Sequence, residues 1–219
     1  MLIIYDFISY TDVFTYNITT LESLLIYAMK TITYQSDYLG NGFEFATINQ
    51  PDDYEGKVVA TVIRKQCSMP SNKAVLYVHG FNDYFFQSDM AHRFNEKEYH
   101  FYAIDLRKYG RSTLPHHKSN NMRSLTEYFA DLDEALEIIR QEGNEQVLLS
   151  GHSTGGLLVT LYASERVGNE KFDTIFCNSP FYDMNMPGYQ KRLLVPLVAL
   201  FGKYFPDVLL PGKISEWYG

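Results

Sequence analysis

Gly151-His152-Ser153-Thr154-Gly155-Gly156 is the segment with the clearest capacity for chemistry. It follows an apolar run, Gln146 to Ser150, and precedes Leu157 to Ala163, which reads as a buried helix. A G-x-S-x-G turn between a strand and a helix is the nucleophile-elbow arrangement. Small residues at Gly151 and Gly155 let the backbone turn sharply and lift the Ser153 hydroxyl above the end of a sheet. A hydroxyl presented this way can attack an acyl carbon, provided a base accepts its proton. The Thr154 N–H, at the start of the helix, points where negative charge would develop on the attacked carbonyl. The same sequence poses a problem, because no histidine follows Ser153 in the remaining 66 residues.

The elements that would carry this turn follow from hydrophobic periodicity. Gly42 to Ile48 alternates with period two and reads as a half-exposed strand, Asn49 to Gly56 as a turn cluster, and Lys57 to Lys65 as a second strand of a hairpin. Lys73 to Gly80 and Tyr99 to Leu106 are nearly continuous apolar runs, the pattern of strands buried on both faces. A polar stretch, Arg107 to Arg123, precedes Ser124-Leu125-Thr126-Glu127, which has capping-box spacing. That box opens a helix with apolar positions at Leu125, Tyr128, Phe129, Leu132, Leu136 and Ile139, ended by Gly143-Asn144. After the elbow, Phe172 to Asn178 reads as a further strand. Strands alternating with helices after a hairpin predict an α/β fold with a mainly parallel sheet and flanking helices.

The 219 residues suit a single domain with a sizeable core: 46% are hydrophobic and 21% charged. The net charge of −7 argues against a nucleic-acid partner. Cys67 and Cys177 read as free thiols, not a disulfide framework. No stretch has the length of uncharged apolar residues that a membrane span needs, and Met1 to Ala28 lacks the basic start of a secretory signal. The expected location is cytoplasmic. No cofactor is implied, since neither a dinucleotide fingerprint nor a phosphate loop is present. No metal site is expected either: His116-His117 lie in a polar loop without further ligands.

Two upstream segments join the elbow. One strand ends in His79-Gly80-Phe81, and another in Asp105-Leu106-Arg107-Lys108-Tyr109-Gly110-Arg111-Ser112. An H-G turn, a D-x-R-x-x-G-x-S segment and G-H-S-x-G-G, in this order, make residues 40 to 215 resemble the α/β-hydrolases of the monoacylglycerol lipase, lysophospholipase and serine aminopeptidase S33 group. The resemblance implies Ser153 as the catalytic nucleophile. It implies the N–H groups of Phe81 and Thr154 as the oxyanion hole, with His79, Gly80, Gly151, His152 and Gly155 in supporting roles. His79 is expected to order the oxyanion loop, and His152 to direct its side chain away from the hydroxyl.

In this fold the triad runs Ser, acid, His. Six acids follow Ser153; among them Asp183, after the strand ending at Asn178, is a possible triad acid. The missing histidine makes the chain read as the N-terminal portion of a longer hydrolase, with C-terminal strands absent. A degenerate member, or a base supplied by a partner, is the other explanation. The expected organisation is an N-terminal extension over 1–40, the hydrolase core over 41–183 and the start of a cap over 184–219. Arg192 to Phe205 is apolar nearly all round with Pro196 inside, and such a lid would suit a small or lipid-like ester substrate. The rival functions are an S33-type aminopeptidase and a non-catalytic binding protein on a hydrolase fold.

Overall fold

The computed structural model describes residues 32–168, 171–183, 185, 187–205 and 208. The expectations for residues 1–28, and most of the extended stretch Phe205 to Pro211, lie outside the described residues. Among the described residues no helix is long and apolar enough to cross a membrane. The chain divides between Pro180 and Phe181 into two units.

The described residues of the first unit form seven strands: β1 (Gln35–Ser36), β2 (Glu44–Asp53), β3 (Gly56–Lys65), β4 (Lys73–Val78), β5 (His100–Asp105), β6 (Gln146–His152) and β7 (Thr174–Asn178). Their spatial order is β1-β2-β3-β5-β4-β6-β7. β1, β2, β3 and β5 pair antiparallel in sequence, whereas β5, β4, β6 and β7 run parallel. This is the predicted mainly parallel sheet with a leading hairpin.

The β2–β3 hairpin is longer than its residues suggest. Asn49 to Asp53, read as a turn, stays in β2, with a register shift between Gln50 and Asp53 before the closing pair Asp53–Gly56. The irregularity admits Pro51, which has no N–H to give to a ladder.

Among the described residues, three helices connect or flank the parallel strands: α1 (Ser88–Asn95), α2 (Phe129–Gln141) and α3 (Thr154–Glu165). The predicted capping box at Ser124 and Glu127 is present, but it first opens a 3-10 turn, Leu125–Tyr128, that runs into α2. α1 was not foreseen, because a short polar helix with Ala91 as its one buried residue leaves little periodic signal.

Alternation along β4 divides the core. Ala74, Leu76 and Val78 join Leu132, Leu136, Ile139, Leu158 and Val159 on the α2–α3 face. Val75 and Tyr77 join Phe85, Ala91 and Phe101 on the α1 face. β4 therefore lies where the chain winds outward in both directions, to β5 on one side and β6 on the other. The carboxyl ends of adjacent parallel strands at such a switch point are where sites form in open α/β sheets.

The second unit contains α4 (Gly188–Tyr204), with Pro196 inside it and exposed Leu193, Leu194, Leu197 and Leu200.

Candidate active site

The register Val78–Gly151 between β4 and β6 brings the ends of these strands side by side. His79-Gly80-Phe81 leaves β4 at the point where His152-Ser153-Thr154 leaves β6. A Cβ added to Gly80 would lie 3.2 Å from Ser153 Cβ and 3.5 Å from His152 Nδ1, so the H-G turn passes directly beside the serine.

Ser153 has φ 53° and ψ −120°, a conformation that L-residues rarely adopt. Such strain persists only where the surroundings over-determine it. The serine N–H donates to Asn178 O at 3.1 Å, and its carbonyl accepts from the Gly156 and Leu157 N–H groups in the first turn of α3. Glycine is required on both sides for close approach. A Cβ at Gly151 would overlap the Gly155 carbonyl, and one at Gly155 would overlap the carbonyls of Val78 and His79. α3 is thereby pressed against the ends of β4 and β6. Thr154 opens α3, so its N–H is one of the first-turn donors without an intrahelical acceptor.

His79 is buried, and its hydrogen bonds fix its proton. Nε2 accepts from the Leu106 N–H at 3.2 Å, so the proton sits on Nδ1, which donates to Gly80 O at 2.8 Å. Burial, the main cause, holds the imidazole pKa below its ordinary value, which keeps the ring neutral. The described chain has no cis peptide, and in a trans peptide the C=O and the following N–H point in opposite directions. The bond to Gly80 O therefore sets the direction of the Phe81 N–H. The His79 ring is held from one side by Tyr109, with centroids 4.7 Å apart.

The D-x-R-x-x-G-x-S segment braces these loops. Asp105 Oδ1 accepts from the Phe85 N–H at 2.8 Å, and Oδ2 accepts from the Arg111 N–H and Nη1, both at 2.9 Å. Arg111 also grips both oxygens of Asp37, at 2.7 and 3.0 Å. Arg107 pairs with buried Asp131 on α2, its shortest bond being 2.6 Å. Lys108, buried, pairs with Asp53 at 2.7 Å and Glu55 at 2.8 Å at the hairpin end. Burial opposes all three charges, yet their mutual contacts outweigh it: Asp53 and Glu55 titrate below, and Lys108 above, their ordinary values.

A pocket with about 280 Å³ of empty space, part of it open to solvent, lies beside this cradle with Phe81 and Thr154 in its lining. Tyr109 and Tyr128 belong to its wall; in the sequence Tyr109 stands out only as a motif position and Tyr128 only as part of a helical apolar stripe.

The structure thus brings together His79, Gly80, Phe81, Gly151, His152, Ser153, Thr154 and Gly155. Asp183 belongs to the second unit, where it pairs with Lys191. Among the described residues no side chain hydrogen-bonds to Ser153 Oγ. The His116 and His117 rings both bond to Lys57 O, at 3.0 and 2.8 Å. Cys67 and Cys177 are free and half-buried.

Comparison with known proteins places these features in context. The family model for serine aminopeptidase, S33, matches residues 69–217. No curated protein matches the chain in sequence. Among solved structures, a carboxyl esterase from Bacillus coagulans aligns with TM-score 0.60 at 15% identity, covering 79% of this chain and 61% of that one. A monoacylglycerol lipase from Paleococcus ferrophilus aligns with TM-score 0.55 at 24% identity, covering 70% and 56%. A soluble variant of the monoglyceride lipase from Saccharomyces cerevisiae aligns with TM-score 0.54 at 19% identity, covering 85% and 58%. At these identities the likeness is one of fold. The chain spans less than two thirds of the length of each of these three structures.

Proposed function

Since the chain belongs to the serine aminopeptidase S33 family of α/β hydrolases, we propose that it is a serine hydrolase of carboxylic esters with Ser153 as its nucleophile. The observation that carries this reading is the strained Ser153 backbone, φ 53° and ψ −120°, set beside the H-G turn at the end of β4. In the proposed reaction Ser153 Oγ bonds to the ester carbonyl carbon while its proton passes to an imidazole. The carbonyl oxygen becomes an oxyanion facing the N–H groups of Phe81 and Thr154. The carbon–oxygen bond to the alcohol then breaks, the alcohol leaves with that proton, and water cleaves the acyl-serine.

The imidazole has to come from elsewhere. His79 is engaged at both ring nitrogens, and no histidine follows Ser153. The reading therefore requires a base, with its acid, from a further segment or a second chain. Residues 41–183 would form the catalytic core and 184–219 part of a cap, whose exposed leucines suit an apolar substrate.

The names of the aligned lipases and esterase favour esters, and the family description favours an aminopeptidase as second reading. Turnover of a panel of p-nitrophenyl esters and aminoacyl anilides by the protein from its full natural reading frame separates them. Ester turnover that disappears in Ser153→Ala is expected. Turnover confined to anilides selects the aminopeptidase. The absence of both selects a binding protein.

A further inference from the structure

The loop that presents the Phe81 N–H is anchored at both ends. His79 fixes its start through Gly80 O. Its far end is Phe85, whose N–H donates to Asp105 Oδ1 at 2.8 Å and whose carbonyl accepts from Arg111 Nη1 at 3.0 Å. The Phe85 ring has no exposed surface and packs on Phe43 and Phe101, with centroids 6.0 and 5.1 Å apart. Between the anchors, Tyr84 rests on Gly110, where an added Cβ would lie 2.6 Å from Tyr84 Cβ. The placement of Arg111 therefore decides where this loop returns to the core. Arg111 is itself set by Asp37: Nε donates to Oδ2 at 2.7 Å and Nη2 to Oδ1 at 3.0 Å, a side-on pair that fixes the guanidinium plane. Asp37 is buried and firmly placed. Its N–H donates to Phe43 O at 2.9 Å across a turn with Gly40, Asn41 and Gly42 at positive φ. Asp105 already balances the Arg111 charge, so a second buried carboxylate adds desolvation cost and no neutralisation. What it adds is orientation. Asp37 stands upstream of the family match, which covers residues 69–217.

We propose that Asp37 is a positioning residue of the oxyanion hole, acting through Arg111 on Phe85 to hold the loop that carries the Phe81 N–H. The inference rests on the hydrolase reading above. Asp37 does not touch the reacting atoms. Without it, Arg111 keeps its pair with Asp105 but is free to turn about that contact, and its bond to Phe85 O is lost. The Phe81 N–H then drifts from where the oxyanion forms, and a hydrogen bond weakens steeply with misalignment. The ester itself still binds, so the loss falls on the transition state and not on the substrate complex.

The test measures p-nitrophenyl butyrate turnover by the protein from its full natural reading frame. Active sites are counted by fluorophosphonate labelling at Ser153, so that unfolded molecules do not enter kcat. Asp37→Ala is expected to lower kcat per labelled serine about tenfold, part of the roughly 10²–10³ that a missing oxyanion donor costs. KM should stay within about twofold of wild type. Arg111→Lys, which keeps a charge between the two carboxylates but has no fork, should fall as far. Asp37→Asn, with one acceptor oxygen left, should lie between. Glu44→Ala, which removes a partner of Arg64 on β2, should match wild type. A trifluoromethyl ketone, whose adduct on Ser153 carries an oxyanion, should lose affinity in parallel with kcat/KM. Wild-type kcat per labelled serine in both Asp37→Ala and Arg111→Lys overturns the proposal. So does a loss confined to KM, an unchanged ketone affinity, an equal loss in Glu44→Ala, or the absence of label from all the Asp37 and Arg111 variants. Wild-type turnover that ignores Ser153→Ala removes the hydrolase reading, and this role with it. Ser153-dependent turnover with unaltered Asp37→Ala kinetics removes the Asp37 role alone.

Discussion

β5 and β7 are both short parallel strands with aromatic and aliphatic side chains, yet their surroundings are opposite. Five of the six residues of His100–Asp105 are buried, and none of Thr174–Asn178 is. Phe101 has no exposed surface; Phe176 keeps 56% of its own. β5 lies between two neighbours and under helices on both faces, whereas β7 is the outermost strand of its side among the described residues. The cradle around Ser153 reflects this division. Its Phe81 side is fixed by β4, β5 and their buried ion pairs. The elbow leans on β7 through the Gly151–Cys177 and His152–Asn178 pairs, the bond from the Ser153 N–H to Asn178 O and the Cys177 Sγ contact with Gly156 O. One half of the site is thus held by the core itself, and the other borders a strand whose apolar side chains are still uncovered.

Matching truncations should separate the two regions most widely. Phe101→Ala is expected to cost about 3–5 kcal/mol in urea unfolding, and Phe176→Ala about 0.5 kcal/mol or less. Equal losses would mean that β7 is as well covered as β5, which breaks the comparison.

Lys108→Met sharpens it on the braced side. The change leaves Asp53 and Glu55 without their buried partner, at a cost of about 3 kcal/mol near neutral pH. Both carboxylates titrate lower in the folded protein than their ordinary values. Their stabilisation is therefore complete above about pH 5 and lost as pH falls through the folded values. The gap between wild type and variant should close in that acid range, and a gap independent of pH would refute the ion-pair account.

His79 gives the smallest effect, and it has the same sign. Its folded pKa lies below the unfolded value, so stability is full above about pH 6.5 and declines as pH falls, by up to about 1.4 kcal/mol per unit. His79→Gln should remove that slope between pH 7 and 5. A slope unchanged in the variant would show that His79 is not buried neutral.

Much of this was legible in the sequence, for identifiable reasons. The elbow, β4, β5 and β6 announce themselves because continuous apolar runs end in glycine-containing turns. The capping box at Ser124 was readable because it is local. What escaped depends on distant partners. Arg111 and Asp37 are 74 positions apart, and Lys108 finds its charges across the sheet at the β2–β3 turn. The tautomer of His79 depends on Leu106, 27 positions on, although its place in an H-G turn pointed to an ordering role. The pocket combines four segments, around His79, Leu106, Leu125 and Thr154, that are far apart in the chain.

The central claim is that Ser153, held in a strained turn beside the H-G loop, is a nucleophile. Its most direct test is covalent. The protein from its full natural reading frame is treated with a fluorophosphonate, and the adduct is located by peptide mass spectrometry. The account predicts one phosphonyl group, on Ser153, and none in Ser153→Ala. A wild-type protein that stays unlabelled, or an adduct on another residue that persists in Ser153→Ala, would contradict it.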